Sequence, residues 1–115
     1  MDVVIAYITA TDKTEAEKLG KALVTKKLAA CVNILDGMHS MYWWKGVLEE
    51  STEAVVIAKT VASEVDGLIA EVKKVHSYEV PCVLVFGVQK GNLDYMRWIK
   101  DNVGAAGVSS GREKP

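Results

Sequence analysis

Lys27 to Thr60 reads KLAACVNILDGMHSMYWWKGVLEESTEAVVIAKT, and this stretch decides the fold. Two β-favouring apolar arms meet at Lys45-Gly46, the two-residue X-Gly loop of a short hairpin connection. Gly46 can take the positive φ of such a turn without a Cβ clash. The outgoing arm passes a break at Asp36-Gly37 and resumes as Ser40-Met41-Tyr42-Trp43-Trp44; the returning arm runs from Val47 to Thr60. Each arm is about fourteen to sixteen residues long, against the usual strand of about five or six. The other strand-like runs, Val3–Ala10 and Val80–Val88, are roughly half that length, so the hairpin should project about 20 Å beyond a sheet shared with them. Met41, Tyr42, Trp43, Trp44, Val47 and Leu48 lie on the projecting part. Left uncovered they would form a large apolar patch beside open strand edges, so another subunit is expected to cover them.

Outward from the hairpin, Val3 to Ile8 is nearly all apolar and reads as a central strand covered on at least one face. Asp12 with Glu15 three residues on gives a capping-box start to a helix whose inner positions are Ala16, Leu19, Gly20 and Leu23. Lys26 and Lys27 complement the negative end of its dipole. A second helix begins near Ser63, with Asp66 in its first turn and Val65, Leu68, Ile69, Val72 and Val75 as its buried stripe. His76 to Pro81 is a connection, Val83 to Phe86 a further buried strand, and Asn92 a cap for a third helix over Leu93–Val103. The order is β–α–β–β–α–β plus a C-terminal helix. The expected fold class is therefore α+β: a ferredoxin-like βαββαβ sandwich with a long central hairpin. Residues 1–103 read as a single domain. Residues 104–115, rich in Gly and Ser, read as a flexible tail.

The chain has 115 residues, 50% of them hydrophobic, and a formal net charge of -1. Its basic residues nowhere run beyond a pair, which argues against a nucleic-acid footprint. The N-terminal apolar run is too short for a membrane span and lacks a basic n-region, so a cytoplasmic protein is expected. Cys31 and Cys82 lack C-x-x-C spacing and read as free thiols in a reducing compartment.

The chain has no P-loop, no G-x-G-x-x-G and no nucleophile elbow, and no enzymatic activity is expected of it. Its chemistry-bearing residues each carry a plain reading beside a functional one. Cys31 is a small strand hydrophobe or a soft ligand for Cu(I) or Zn(II). His76 either complements the end of the second helix or serves as a ligand or acid–base group. His39 is a loop imidazole, and Cys82 a strand residue near a sheet edge. Glu49, Glu50 and Glu53, with Lys45 and Lys59, form a solvated face or inter-subunit ion pairs. Tyr42, Trp43, Trp44, Tyr95 and Trp98 are interface and core, or the wall of a small-molecule pocket.

Several runs carry a family resemblance. Lys27-Leu28-Ala29-Ala30-Cys31-Val32-Asn33 resembles the K-L-A-A-C-V-N signature of the CutA divalent-cation tolerance family. Ser40-x-Tyr42-x-Trp44-x-Gly46 resembles its S-x-Y-x-W-x-G. Lys59-Thr60, His76-x-Tyr78-Glu79-Val80-Pro81 and Gly91-Asn92-x-x-Tyr95-x-x-Trp98 follow in order at family-like separations. The resemblance implies a ferredoxin-like homotrimer, its hairpins packed between subunits, that binds copper and other divalent cations and acts in tolerance to metal ions. It implies Cys31 and His76 as metal ligands. It also implies an inter-subunit ligand pocket lined by Trp44, Lys59, Tyr78, Glu79, Tyr95 and Trp98.

The chain departs from the pattern at Ser77, where the family has Pro, and at Cys82, where an acidic residue is common. Thr9-Ala10-Thr11 stands where some bacterial members carry a further cysteine. Two other readings share the architecture. A signalling trimer similar to the nitrogen-regulatory PII proteins would bind a small effector between subunits. For a nucleotide effector the chain offers only Lys13, Lys45, Lys59 and Lys90 for phosphate. An acylphosphatase-type enzyme would need an arginine after the first strand, and Thr9-Ala10-Thr11-Asp12-Lys13 has none.

Overall fold

The computed structural model describes residues 2–104; the tail read at 104–115 lies, beyond Gly104, outside the described residues. β1 (Val3–Ala10), α1 (Lys13–Thr25), β2 (Cys31–Trp44), β3 (Val47–Val61), α2 (Val65–Val75), β4 (Val83–Gly87) and α3 (Leu93–Asp101) follow one another, with one 3-10 turn at Ala62–Glu64 before α2. The strands form a four-stranded antiparallel sheet in the order β2-β3-β1-β4. This is the ferredoxin-like arrangement expected from the order of elements.

Alternation along the strands divides the sheet into two faces. Ala6, Ile8 and Ala10 of β1, with Ala54, Val56 and Ala58 of β3, meet Ala16, Leu19 and Leu23 of α1 and Leu68 and Val72 of α2 in the main core. At Gly20 in α1 the helix comes close to the sheet, because a Cβ built there would lie 2.9 Å from Val32 Cγ2. The opposite face carries the partners of odd-numbered β1 residues. There Val3 and Val61 pack against Ile99 of α3 and Val103, so α3 covers one end of that face. Among the described residues, its middle and far end, with Tyr7, Leu35, Leu84 and Phe86, have no helix over them.

Local chemistry explains the boundaries. Asp12 Oδ1 accepts from the Glu15 N–H at 2.8 Å and Glu15 Oε1 accepts from the Thr11 N–H at 3.0 Å, a reciprocal N-terminal cap shifted outward by one residue. All four expected inner positions of α1 are buried. Lys26 pairs with Glu71 of α2 at 2.9 Å, tying the two helices together rather than only capping one. The hairpin strand begins at Cys31, not Lys27. Lys27 takes φ 61 just past the helix, and the Leu28 and Ala29 N–H groups return to the Leu23 carbonyl, so these residues close α1. Thr60, fully buried, donates its hydroxyl to the Leu28 carbonyl at 2.7 Å and fixes that connection to β3.

The Asp36-Gly37 break is a bulge within β2, where the register shifts between Leu35 and Met38. Gly37 has φ 75 there and donates to Asp36 Oδ1 at 2.8 Å. At the turn, Lys45 and Gly46 take φ 49 and 80, the doubly positive pair of a type I′ hairpin. β1 pairs only with Ala54–Val61, so Val47–Glu53 and their partners on β2 extend beyond it, about 23 Å at ~3.3 Å per residue. Trp43 is 73% exposed on that extension, and Met41, Tyr42, Trp44, Val47 and Leu48 are exposed with it.

Other sequence expectations need correction. β4 is shorter than Val80–Val88 because Pro81 and the preceding residues form a connection. It is also an edge strand with Leu84, Val85 and Phe86 exposed, not a buried one, since among the described residues nothing covers its outer face. α2 begins at Val65 after the 3-10 turn, and of its stripe only Leu68 and Val72 are fully buried. α3 is capped by Asn92, whose side chain accepts from the Asp94 N–H at 2.9 Å, and it ends at Asp101 rather than Val103.

A candidate functional site on the open sheet face

A half-open groove of about 810 Å³ lies on the open face, between the base of the hairpin and the connection that follows α2. Its floor is Tyr7 and Thr9 of β1 with Glu53 of β3. Met38, Ser40, Tyr42 and Trp44 of β2 form one wall, and Ser77, Tyr78, Glu79, Val80 and Cys82 form the other. The period of two explains the strand contributions: Met38, Ser40, Tyr42 and Trp44 pair across the hairpin with Glu53, Ser51, Glu49 and Val47, which share their face.

His76 builds the second wall. Its side chain is fully buried. Its Nε2 lies 2.6 Å from the Thr9 carbonyl, which can only accept, so Nε2 carries the proton. The other ring nitrogen, Nδ1, accepts from the Tyr78 N–H at 3.0 Å. Glu15 comes from α1 on the same side, its Oε1 3.6 Å from Nδ1 and its Oε2 accepting from the Ser77 N–H at 3.0 Å. Burial pushes the Glu15 carboxyl up, but the hydrogen bonds from Ser77 and from the Thr11 N–H outweigh it and leave it below the usual carboxylate range. Where the sequence offered helix-end complementation or a ligand, the ring holds the connection against the end of β1.

That connection presents Tyr78 to Glu53. The Tyr78 hydroxyl donates to Glu53 Oε2 at 2.7 Å, and Glu53 is only 7% exposed. Burial and this hydrogen bond push the Tyr78 phenol up to about 12, so it remains a donor across the whole neutral range. The sequence groups Glu53 with Glu49 and Glu50 as a solvated face or inter-subunit pair. In the fold Glu49 and Glu50 are exposed, while Glu53 lies under Tyr78. Alternation with Val55 and Ile57 places Glu53 on the open face of the sheet, but nothing local to it signals the covering tyrosine. Tyr7, Thr9, Met38 and Ser40 also line the groove and escape sequence reasoning, having no feature beyond alternation. At the rim, Lys45 Nζ lies 3.9 Å from Glu79 and 5.5 Å from the Trp44 ring centroid. His39 pairs with Glu50 at 3.0 Å.

A second cluster sits at the other end of the same face, under α3. Lys59 Nζ donates to the Tyr95 hydroxyl at 3.1 Å and lies 5.4 Å from that ring's centroid, and Tyr95 stacks on Trp98 at 5.6 Å. The Tyr95 hydroxyl holds the Lys59 ammonium above the usual lysine range, against the opposing effect of burial. Cys31 faces Lys59 directly across the β2–β3 ladder. Within one chain the expected pocket residues therefore fall into two groups. Trp44, Tyr78 and Glu79 line the groove, while Lys59, with Cys31 across the ladder, meets Tyr95 and Trp98 of α3.

Cys31 and His76 are likewise apart. Cys31 is in register with Lys59 and so with Ile5, whereas His76 binds Thr9, about 13 Å further along β1. Among the described residues, no three His, Cys, Asp or Glu side chains are placed to hold one metal ion. Both cysteines are free and partly buried.

The geometry has known counterparts. Residues 4–102 match the family model described as CutA1 divalent ion tolerance protein. The chain is 41% identical over 97 residues to the divalent-cation tolerance protein CutA of Archaeoglobus fulgidus, covering 84% of this chain and 94% of that protein. It is 38% identical over 99 residues to the chloroplastic protein CutA 1 of Oryza sativa, covering 86% of this chain and 56% of that longer protein. The chain thus spans little more than half of some curated relatives that it matches. Among solved structures, CutA1 from Oryza sativa superposes with a TM-score of 0.88 at 36% identity, covering 91% of this chain and 96% of that one. The divalent cation tolerance protein from Thermus thermophilus superposes at 0.87 and 35% identity, covering 89% and 99%. A match spanning nearly all the described residues, in sequence and in fold, makes this chain a member of the CutA1 divalent ion tolerance family.

Proposed function

We propose that the chain works as a homotrimer that binds copper and other divalent cations as cargo, and so takes part in the response to metal ions. The observation that carries the assembly is the bare extension of the hairpin together with the open sheet face. Met41, Trp43 and Leu48 on the hairpin, and Leu84 and Phe86 on the open sheet face, leave large apolar side chains exposed on both, the kind of surface that marks an interaction site. Three-fold packing would cover it and would multiply any donor that one chain supplies. It would also let Trp44, Tyr78 and Glu79 of one subunit face Lys59, Tyr95 and Trp98 of another, completing a cleft that one chain leaves in two halves. The names of its relatives support the divalent-cation role. We read the protein as a binder rather than an enzyme, and the reducing cytoplasm as its setting.

We propose Cys31 and His76 as the metal-binding side chains. Cys31 is the freer donor, a thiolate-forming group suited to soft ions. His76 can bind a metal at Nδ1 only by giving up the Tyr78 N–H. Since the two are apart within a chain, a complete shell draws on more than one subunit. The test is a Cu(I) and Cu(II) titration of the protein sized by light scattering, with Cys31→Ser and His76→Ala beside the wild type. Stoichiometric binding that either substitution abolishes at unchanged mass supports the reading and assigns the ligand. Wild-type binding by both variants would contradict it. The PII-like alternative is disfavoured at the groove, which no lysine or arginine among the described residues lines for a phosphate.

A further inference from the structure

We propose that Cys82 of one subunit and Cys31 of the next hold Cu(I) between them, in a two-thiolate site that only the assembly completes. The inference rests on the proposed trimer and names the second soft donor of its metal site. Within one chain the two thiols cannot meet. Cys31 is on β2 and Cys82 leads into β4, the two edge strands of the sheet, with three strand spacings, about 14 Å, between them. Cys31 is also level with Ile5 along β1, whereas Cys82 precedes Val83, the partner of Ile8.

Each thiol nevertheless belongs to one half of the proposed cleft. Cys82 lines the groove with Trp44, Tyr78 and Glu79. Cys31 faces Lys59, which reaches Tyr95. Packing that sets the first half of one subunit against the second half of another therefore brings a Cys82 towards a Cys31. His76, the other donor on the groove wall, is already committed. It is fully buried, with Nε2 bonded to the Thr9 carbonyl and Nδ1 accepting from the Tyr78 N–H. Cys82, at the end of the same connection, is a free and partly buried thiol that can bind without breaking either contact. Paired thiolates suit a soft ion such as Cu(I). Binding exchanges the proton of each thiol for the metal, without a change of oxidation state, and leaves the site with one net negative charge. The Lys59 ammonium, opposite Cys31, is placed to offset that charge.

The test is titration of the reduced oligomer with Cu(I) against a competing Cu(I) chelator. Light scattering gives the mass, and X-ray absorption counts the sulfur ligands. The wild type should bind about one copper per subunit through two sulfurs. Cys82→Ser and Cys31→Ser should each lose the copper to the chelator at unchanged mass, and Cys82→Ala replaces Cys82→Ser should that variant not fold. Trimers assembled from a mixture of the two variants should regain about one site each, where an intact Cys31 meets an intact Cys82. The proposal is overturned if Cys82→Ser withstands the chelator as the wild type does, if one sulfur alone binds the wild-type copper, or if mixed trimers regain nothing. Loss of binding in His76→Ala with Cys82→Ser unaffected would overturn it and leave the metal reading standing. A monomer, or a protein that takes up no copper, would overturn both.

Discussion

At the scale of single residues, the groove depends on two buried contacts that hold its movable wall. His76 satisfies the Thr9 carbonyl and the Tyr78 N–H with one ring. Replacing it by Ala removes both partners from a buried position, so His76→Ala should lower stability by about 2–4 kcal/mol, read by chemical denaturation. Tyr78 gives a pH signature. Its phenol is raised from the ordinary 10.0 to about 12 in the folded chain, so the stability it contributes is complete below pH 10 and is lost as pH rises through 12. An ultraviolet pH titration should show one tyrosine ionising late, and Tyr78→Phe should remove that component. Neither contact could be read from the sequence. The string His76-Ser77-Tyr78 is visible, but Thr9 and Glu53 lie 67 and 25 positions away from their partners. Alternation tells which face Glu53 takes; it does not tell what covers it.

At the scale of elements, the sequence is most legible where a periodic pattern ends in a turn with a stereochemical demand. The hairpin is the clearest case: Lys45-Gly46 between apolar arms leaves little choice of register, and both residues take positive φ. Gly46→Ala places a Cβ in that left-handed turn and should cost about 1–2 kcal/mol, measured by thermal unfolding. The inner face of α1 is equally plain, since its 3.6-residue period needs no knowledge of the partner. Connections are harder to read. Lys27 to Ala30 resembles strand because Leu28, Ala29 and Ala30 are apolar. Leu28 and Ala29 serve instead the closure of α1 and the main core, while Ala30 packs in the cluster beneath α3. β4 reads as buried for a related reason: Val83 to Phe86 is apolar throughout, but apolarity records what finally covers a strand, not what its own chain supplies.

At the scale of the whole molecule, the same argument turns outward. The chain's extents are 48 × 26 × 24 Å, and the proposed trimer would cover both its exposed hairpin and the sheet face beside it. The overhang is readable from strand lengths alone, because β3 outruns β1 by the whole of Val47–Glu53. The division of the candidate pocket residues into a groove half and an α3 half is not, since it depends on which end of the sheet each element reaches. Assembly is therefore the claim on which the cleft, the metal shell and the covering of Trp43 all rest. The most direct measurement is the mass of the purified protein by light scattering over a wide concentration range. The account expects about three times the 12.5 kDa of one chain, unchanged on dilution. A species of 12.5 kDa with Trp43 freely quenched from solvent would contradict it.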